Sequence, residues 1–196
     1  MVMMTGLVTG AFVGFVSWYH LSEALLVRWW TPEEFGLDSF LFSRGYVGAM
    51  LIAWMEFAVE SWTWPGAKER WWWRPGGFPL ALAVVVLGEM LRKAAWLTGK
   101  AAFTHRIQTR RRPHHVLVTH GVYAWSRHPG YLGWWWWSIG TQLLLANPIS
   151  TILFAVIGWN FFRKRIPIED YHLHKMFGNE YNSYYRNTPT RFPGIR

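Results

Sequence analysis

From His128 to Phe162 the chain runs 35 residues without one Asp, Glu, Lys or Arg. One straight helix of that length would rise about 50 Å, roughly 20 Å more than the hydrocarbon core of a bilayer. Asn147-Pro148 sits in the middle of the run, and that pair marks a turn. The run therefore predicts a helical hairpin with legs over 131–146 and 149–162. The second leg is short for a span, so it is expected to tilt or to borrow the basic residues at its end. Composition agrees with a membrane setting. Hydrophobic residues make up 52% of the chain and charged residues 16%, against about 25% charged in an ordinary soluble domain. The 16 Trp, 13 Phe and 8 Tyr are more rings than a soluble chain of 196 residues could bury. Disordered chains lack such residues. With no Cys, a disulfide scaffold, a Cys-ligated metal site and a Cys nucleophile are all excluded. What remains is a small all-α integral membrane protein with Trp-rich interfaces.

Three further spans precede the hairpin. Residues 1–22 carry no Asp, Glu, Lys or Arg, no basic leader and no small-residue cleavage site, so they read as a retained span and not as a signal peptide. A second span covers 40–60 and a third 78–98. The linker between them, with Trp62, Trp64 and Trp71 to Trp73, has the look of an interfacial belt. Residues 99–127 are polar and basic, and so is the tail from Arg163. The division expected is 1–98 as three spans, then 99–196 as a loop, the hairpin 131–162 and a tail. Charge is lopsided: residues 1–91 hold 5 Lys/Arg and 8 Asp/Glu, residues 92–196 hold 15 and 3. The basic half fits the positive-inside bias of a membrane protein better than nucleic-acid binding. Both basic stretches flank the hairpin, so they share one side, which should be the cytosol. Five spans then put the N-terminus opposite.

Several ionisable groups fall within or beside these spans. Glu89, Arg92 and Lys93 stand at i, i+3 and i+4, where one helical face pairs them, most simply as an ion pair snorkelling from a helix end. Glu56 is alone in its span and reads as a buried hydrogen-bonded acid or a packing contact. The densest run is 116–131. Its Gly121, Pro129 and Gly130 allow close backbone approach, and Tyr123, His128 and Tyr131 bring polar tips on aromatic bodies. His114, His115, His120 and His128 fit no usual zinc spacing and have no carboxylate near them in the chain, so no metal is expected. Arg165 and Glu169 are one turn apart, with Pro167 between them predicting a kink or a fresh helix start. The bland reading of that segment is a basic stop-transfer flank before a capped tail helix.

Gly88-Glu89-Met90-Leu91-Arg92-Lys93-Ala94-Ala95, the Leu-Val-Thr-x-Gly-Val-Tyr-Ala-Trp run of 117–125, Arg127-His128-Pro129-Gly130-Tyr131, Trp137-Ser138-Ile139-Gly140-Thr141-Gln142, and Arg165 with Glu169 together resemble the isoprenylcysteine carboxyl methyltransferases. The resemblance covers about residues 40–196. It implies an S-adenosylmethionine-dependent enzyme of the endoplasmic reticulum membrane. Such an enzyme methylates the C-terminal carboxylate of the farnesylated or geranylgeranylated cysteine of processed CaaX proteins. By this resemblance a cytosolic cofactor pocket, formed by the 99–130 loop and the tail, takes Gln108, His115, Val116, Leu117, Val118, Tyr123, His128, Pro129, Gly130, Tyr131 and Glu169. Arg165 corresponds to the arginine that holds the substrate carboxylate, and Arg165 and Glu169 are the catalytic pair. The prenyl chain would occupy a slot open to the bilayer. Two departures stand out. The chain starts late, as a short form of relatives that carry extra N-terminal spans. Ile166-Pro167-Ile168 also stands where many relatives have glutamates. Residues 1–39 have no role beyond anchoring in this reading. The competing readings are a membrane methyltransferase for a lipid amine or another lipophilic acceptor, an NADPH-dependent sterol reductase-like protein using Arg110 to Arg112 for phosphate, and a non-catalytic scaffold.

Overall fold

A computed structural model describes residues 2–111 and 115–196; Arg112 and His114, weighed above as phosphate and metal candidates, lie outside the described residues. Eight α-helices and no strand occur among those described: α1 (Val2–Trp30), α2 (Arg44–Thr63), α3 (Pro65–Trp73), α4 (Gly77–Gly99), α5 (Val122–Trp125), α6 (Pro129–Leu144), α7 (Pro148–Phe177) and α8 (Asn179–Asn187). By length and composition, one stretch among them, Thr5–Trp30, is apolar enough to cross a membrane.

The hairpin forms where expected, with α6 and α7 meeting at Asn147-Pro148. Its second leg is much longer than the apolar run. α7 is a single helix of 30 residues, about 45 Å long. It continues through Pro167, so of the kink or fresh start expected there, the fresh start is not found. A proline deletes one backbone donor and crowds one carbonyl. Here that local cost is offset by the buried residues on either side of it, Phe162, Ile166 and Asp170. α1 likewise runs on past the first charge, to Trp30, because Glu23 is met by partners on other elements.

Two devices hold the bundle. α4 and α6 approach backbone to backbone: a Cβ on Gly88 would sit 2.4 Å from the Trp137 nitrogen, one on Gly133 2.6 Å from the Arg92 nitrogen, and one on Gly140 2.7 Å from the Val85 nitrogen. Small residues at such a crossing replace side-chain bulk with direct packing. The hairpin turn, in turn, is capped from outside. The last carbonyls of a helix and the first amides of the next lack partners of their own. Trp71 and Trp72 donate their indole N–H groups to the Leu143 and Leu144 oxygens, and Lys68 donates to the Leu145 and Ala146 oxygens and to Asn147 Oδ1. Glu56 accepts from the Ile149 and Ser150 amides at 2.8 and 2.7 Å. Glu56 of α2 is therefore a cap supplied to another helix, with its charge at the favourable end of the α7 dipole.

Candidate active site

Residues Arg165, Glu169, Asp170, Leu173 and Phe177 of α7 look toward the start of α6, the extended segment 115–118 and α8. Between these elements lies a cleft. It is lined by His115, Val116, Leu117, Val118, Tyr123, His128, Pro129, Gly130, Tyr131 and Glu169, with Phe103, Leu173, Phe177, Tyr181 and Tyr184 completing the walls. Nearly all the residues that the sequence pointed to thus converge. Gln108 does not join them. It lies in a separate groove with Glu33, Glu34 and Arg106, within weak hydrogen-bond reach of Glu34 and Thr104.

The mouth of α6 is fixed by a knot around Asp170. His128 Nε2 lies 2.8 Å from Oδ1, the Tyr181 hydroxyl donates to the same oxygen, and Arg127 reaches Oδ2 at 3.5 Å. Burial would raise this carboxyl. The His128 hydrogen bond and charge, the Tyr181 hydroxyl and the Arg127 charge outweigh burial and hold it below the usual carboxylate range. Arg127 also donates to the Tyr185 and Thr188 carbonyls and lies 4.0 Å over the Tyr185 ring, tying α8 to the cleft. His128, which has no carboxylate near it in sequence, thus meets two in space: Asp170, and Glu169 at 3.9 Å from Nδ1. Among the described residues no group of three or more His, Cys, Asp or Glu could hold a metal ion. Burial also pushes the Tyr123, Tyr181 and Tyr184 hydroxyls up, so they remain protonated donors at neutral pH.

A second cavity of about 360 Å³ adjoins the first. Its walls are mainly apolar and aromatic: Leu41, Phe42, Tyr46, Trp134, Phe161 and Phe162, with Tyr19 and His20 from α1. Arg165, Arg92 and His105 supply polar groups to it, together with Asp38 and Ser43 at its edge. Tyr131 and Thr104 line both spaces. The Tyr131 hydroxyl accepts from Arg165 Nε at 2.8 Å and donates to Glu169. Arg165 and Glu169, one helical turn apart, therefore grip one oxygen from opposite cavities. Arg165 Nη2 donates to the His105 carbonyl at 2.7 Å. The His128 and Tyr131 rings lie parallel, with centroids 5.5 Å apart.

The sequence missed Glu23. Arg92 and Lys93 were expected to pair with Glu89 at a helix end. Lys93 does reach Glu89 at 3.2 Å, but both cations also pair with Glu23, and Arg92 is buried, not snorkelling. Glu23 lies 69 residues from Arg92 and 82 from His105, so no local spacing joins them.

Comparison with known proteins gives concordant results. A family model described as the isoprenylcysteine carboxyl methyltransferase (ICMT) family matches residues 81–175. The protein-S-isoprenylcysteine O-methyltransferase of Mus musculus is 43% identical over 189 residues, which are 95% of this chain and 65% of that one. Protein-S-isoprenylcysteine O-methyltransferase B of Arabidopsis thaliana is 42% identical over 181 residues, 92% of this chain and 90% of that one. A solved structure of the eukaryotic intramembrane Ras methyltransferase ICMT superposes with a TM-score of 0.91 at 38% identity, covering 98% of this chain and 68% of that one. The chain spans just under two thirds of the length of the mammalian relatives it matches. With a plant relative 42% identical and matched over nine tenths of its length, and a family model matched over residues 81–175, the chain belongs to the isoprenylcysteine carboxyl methyltransferase family.

Proposed function

We propose that the protein transfers a methyl group from S-adenosylmethionine to the carboxylate of a C-terminal prenylated cysteine. The observation that carries this reading is the pair of adjoining cavities sharing Tyr131, with a carboxylate, Glu169, on the first and a guanidinium, Arg165, on the second. The first suits a cationic nucleoside. Aromatic walls stabilise a sulfonium, Glu169 accepts from amine or hydroxyl groups, and the 115–118 backbone supplies further polar contacts. When bound, the cofactor supplies an electrophilic methyl group and leaves as a neutral thioether. The second cavity suits an apolar chain ending in an anion.

The acceptor carboxylate is ionised at pH 7, so no side chain has to remove a proton. The residues need to position and desolvate it. Arg165 binds the carboxylate as a planar fork, which a lysine does less well. Tyr131 and the His105 carbonyl hold that fork in place, and Trp134, Phe161 and Phe162 keep water from it. Bringing a carboxylate oxygen into line behind the methyl carbon is a proximity effect, and it accounts for most of what such an enzyme must contribute.

We place the site in a membrane with five spans, α1, α2, α4, α6 and α7, and with the cleft facing the cytosol. The basic stretches 99–127 and 163–196 lie at the cleft end of the bundle, as the positive-inside rule asks. Farnesylated or geranylgeranylated C-termini in the endoplasmic reticulum membrane are the substrates this arrangement serves. The test uses protein purified in detergent, radiolabelled S-adenosylmethionine and N-acetyl-S-farnesylcysteine. Base-labile methyl ester is expected from the wild type, with Arg165→Ala lowering the rate about a hundredfold because a desolvated charge loses its partner. Base-stable label on a lipid amine, with none on the carboxylate, would overturn the reading in favour of an amine acceptor.

A further inference from the structure

Glu23 lies outside the segment matched by the family model and takes no part in the chemistry described above. It is completely buried, yet five donor groups converge on it: Arg92 Nε at 3.1 Å and Nη2 at 2.6 Å, Lys93 Nζ at 2.7 Å, Trp96 Nε1 at 2.9 Å and His105 Nε2 at 2.8 Å. A carboxylate has about four lone-pair sites, so this one is saturated. A buried acid with so many partners is costly to place and more costly to disturb.

Two branches lead from it to the same guanidinium. His105 is held at its ring by Glu23, and its backbone oxygen accepts from Arg165 Nη2 at 2.7 Å. Arg92, held by Glu23 through two nitrogens, donates its third to the Gly130 carbonyl at 3.1 Å, at the start of α6. The next residue is Tyr131, whose hydroxyl accepts from Arg165 Nε at 2.8 Å. The two oxygens on which Arg165 rests are thus both tied to one carboxylate on α1. Arg92, His105 and Arg165 also line the same cavity.

We propose that Glu23 is a positioning residue for Arg165: it fixes the His105 and Tyr131 oxygens that aim the guanidinium, and so sets acceptor affinity without touching the acceptor. This rests on Arg165 being the arginine that binds the acceptor carboxylate. The first helix then forms part of the acceptor site in addition to anchoring the chain.

The test is a double-mutant cycle read by binding, so that inactive variants still count. Affinity for N-acetyl-S-farnesylcysteine is measured with S-adenosylhomocysteine bound, and affinity for S-adenosylhomocysteine is measured alone. Glu23→Gln is expected to weaken acceptor binding about tenfold while changing cofactor binding less than about twofold. Glu23→Asp should recover part of the loss. In an Arg165→Lys background, where no fork spans the two oxygens, Glu23→Gln should add less than about twofold. An equal effect in both backgrounds, or parallel losses of acceptor and cofactor binding, would leave Glu23 a merely structural residue and overturn the proposal. Should Glu23→Gln fail to fold, His105→Ala carries the same test, since it cuts one branch and spares the Glu23–Arg92 pair. Arg165→Ala with unaltered acceptor affinity would instead sink the role given to Arg165, whereas a weakened Arg165→Ala beside an unweakened Glu23→Gln sinks only the positioning proposal.

Discussion

Tyr131 presents one hydroxyl to two cavities, and its neighbour His128 is braced from behind by Asp170. The brace is testable. Asp170 has a folded-state pKa below its ordinary value. Its contribution is fully present above the unfolded value near 4, and is lost as pH falls through the lower folded value. Asp170→Asn should therefore cost about 2–3 kcal/mol at pH 7, and the gap to wild type should close as thermal unfolding in detergent is repeated from pH 6 down to pH 3. At this scale the sequence was informative wherever chemistry is local. The Arg165–Glu169 spacing and the 115–118, 123 and 128–131 residues all reach the two cavities. Gln108 does not, because its loop turns toward Glu34 and Thr104. Glu23, His105 and the second role of Arg92 were illegible, since their pairing depends on how α1 lies against α4.

Helices were legible as apolar runs, and their ends were not. α7 outlasts its apolar stretch by some fifteen residues because a buried stripe continues through Ile166, Asp170 and Phe177. Pro167 weighs little against that packing. The turn between α6 and α7 shows the same dependence on partners, since α2 and α3 add caps to the hydrogen bonds it makes within itself. Lys68→Met should cost about 2–4 kcal/mol, as it strands two carbonyls, and Glu56→Ala about 1–2 kcal/mol, as it strands two amides. Both should show as lower unfolding temperatures with acceptor affinity unchanged, because the turn lies about 24 Å of helix away from the mouth of α6. Loss of acceptor binding in either variant would mean that the two ends of the hairpin are coupled.

For the molecule as a whole, the lack of cysteine makes membrane disposition directly measurable. Single cysteines at exposed Asn182 in α8 and exposed Trp64 before α3 should react with an impermeant thiol reagent from opposite sides of sealed microsomes. Reaction of both from one side would overturn the three spans placed between them. One feature of the hairpin also bears on how the chain is made. The groups that cap its turn precede the groups they cap by 72 to 94 residues. At about 5–20 residues per second, ribosomal synthesis delivers them several seconds early. The early half of the chain is thus a ready-made dock, and the last hairpin enters a bilayer in which the partners for its bare turn are already waiting.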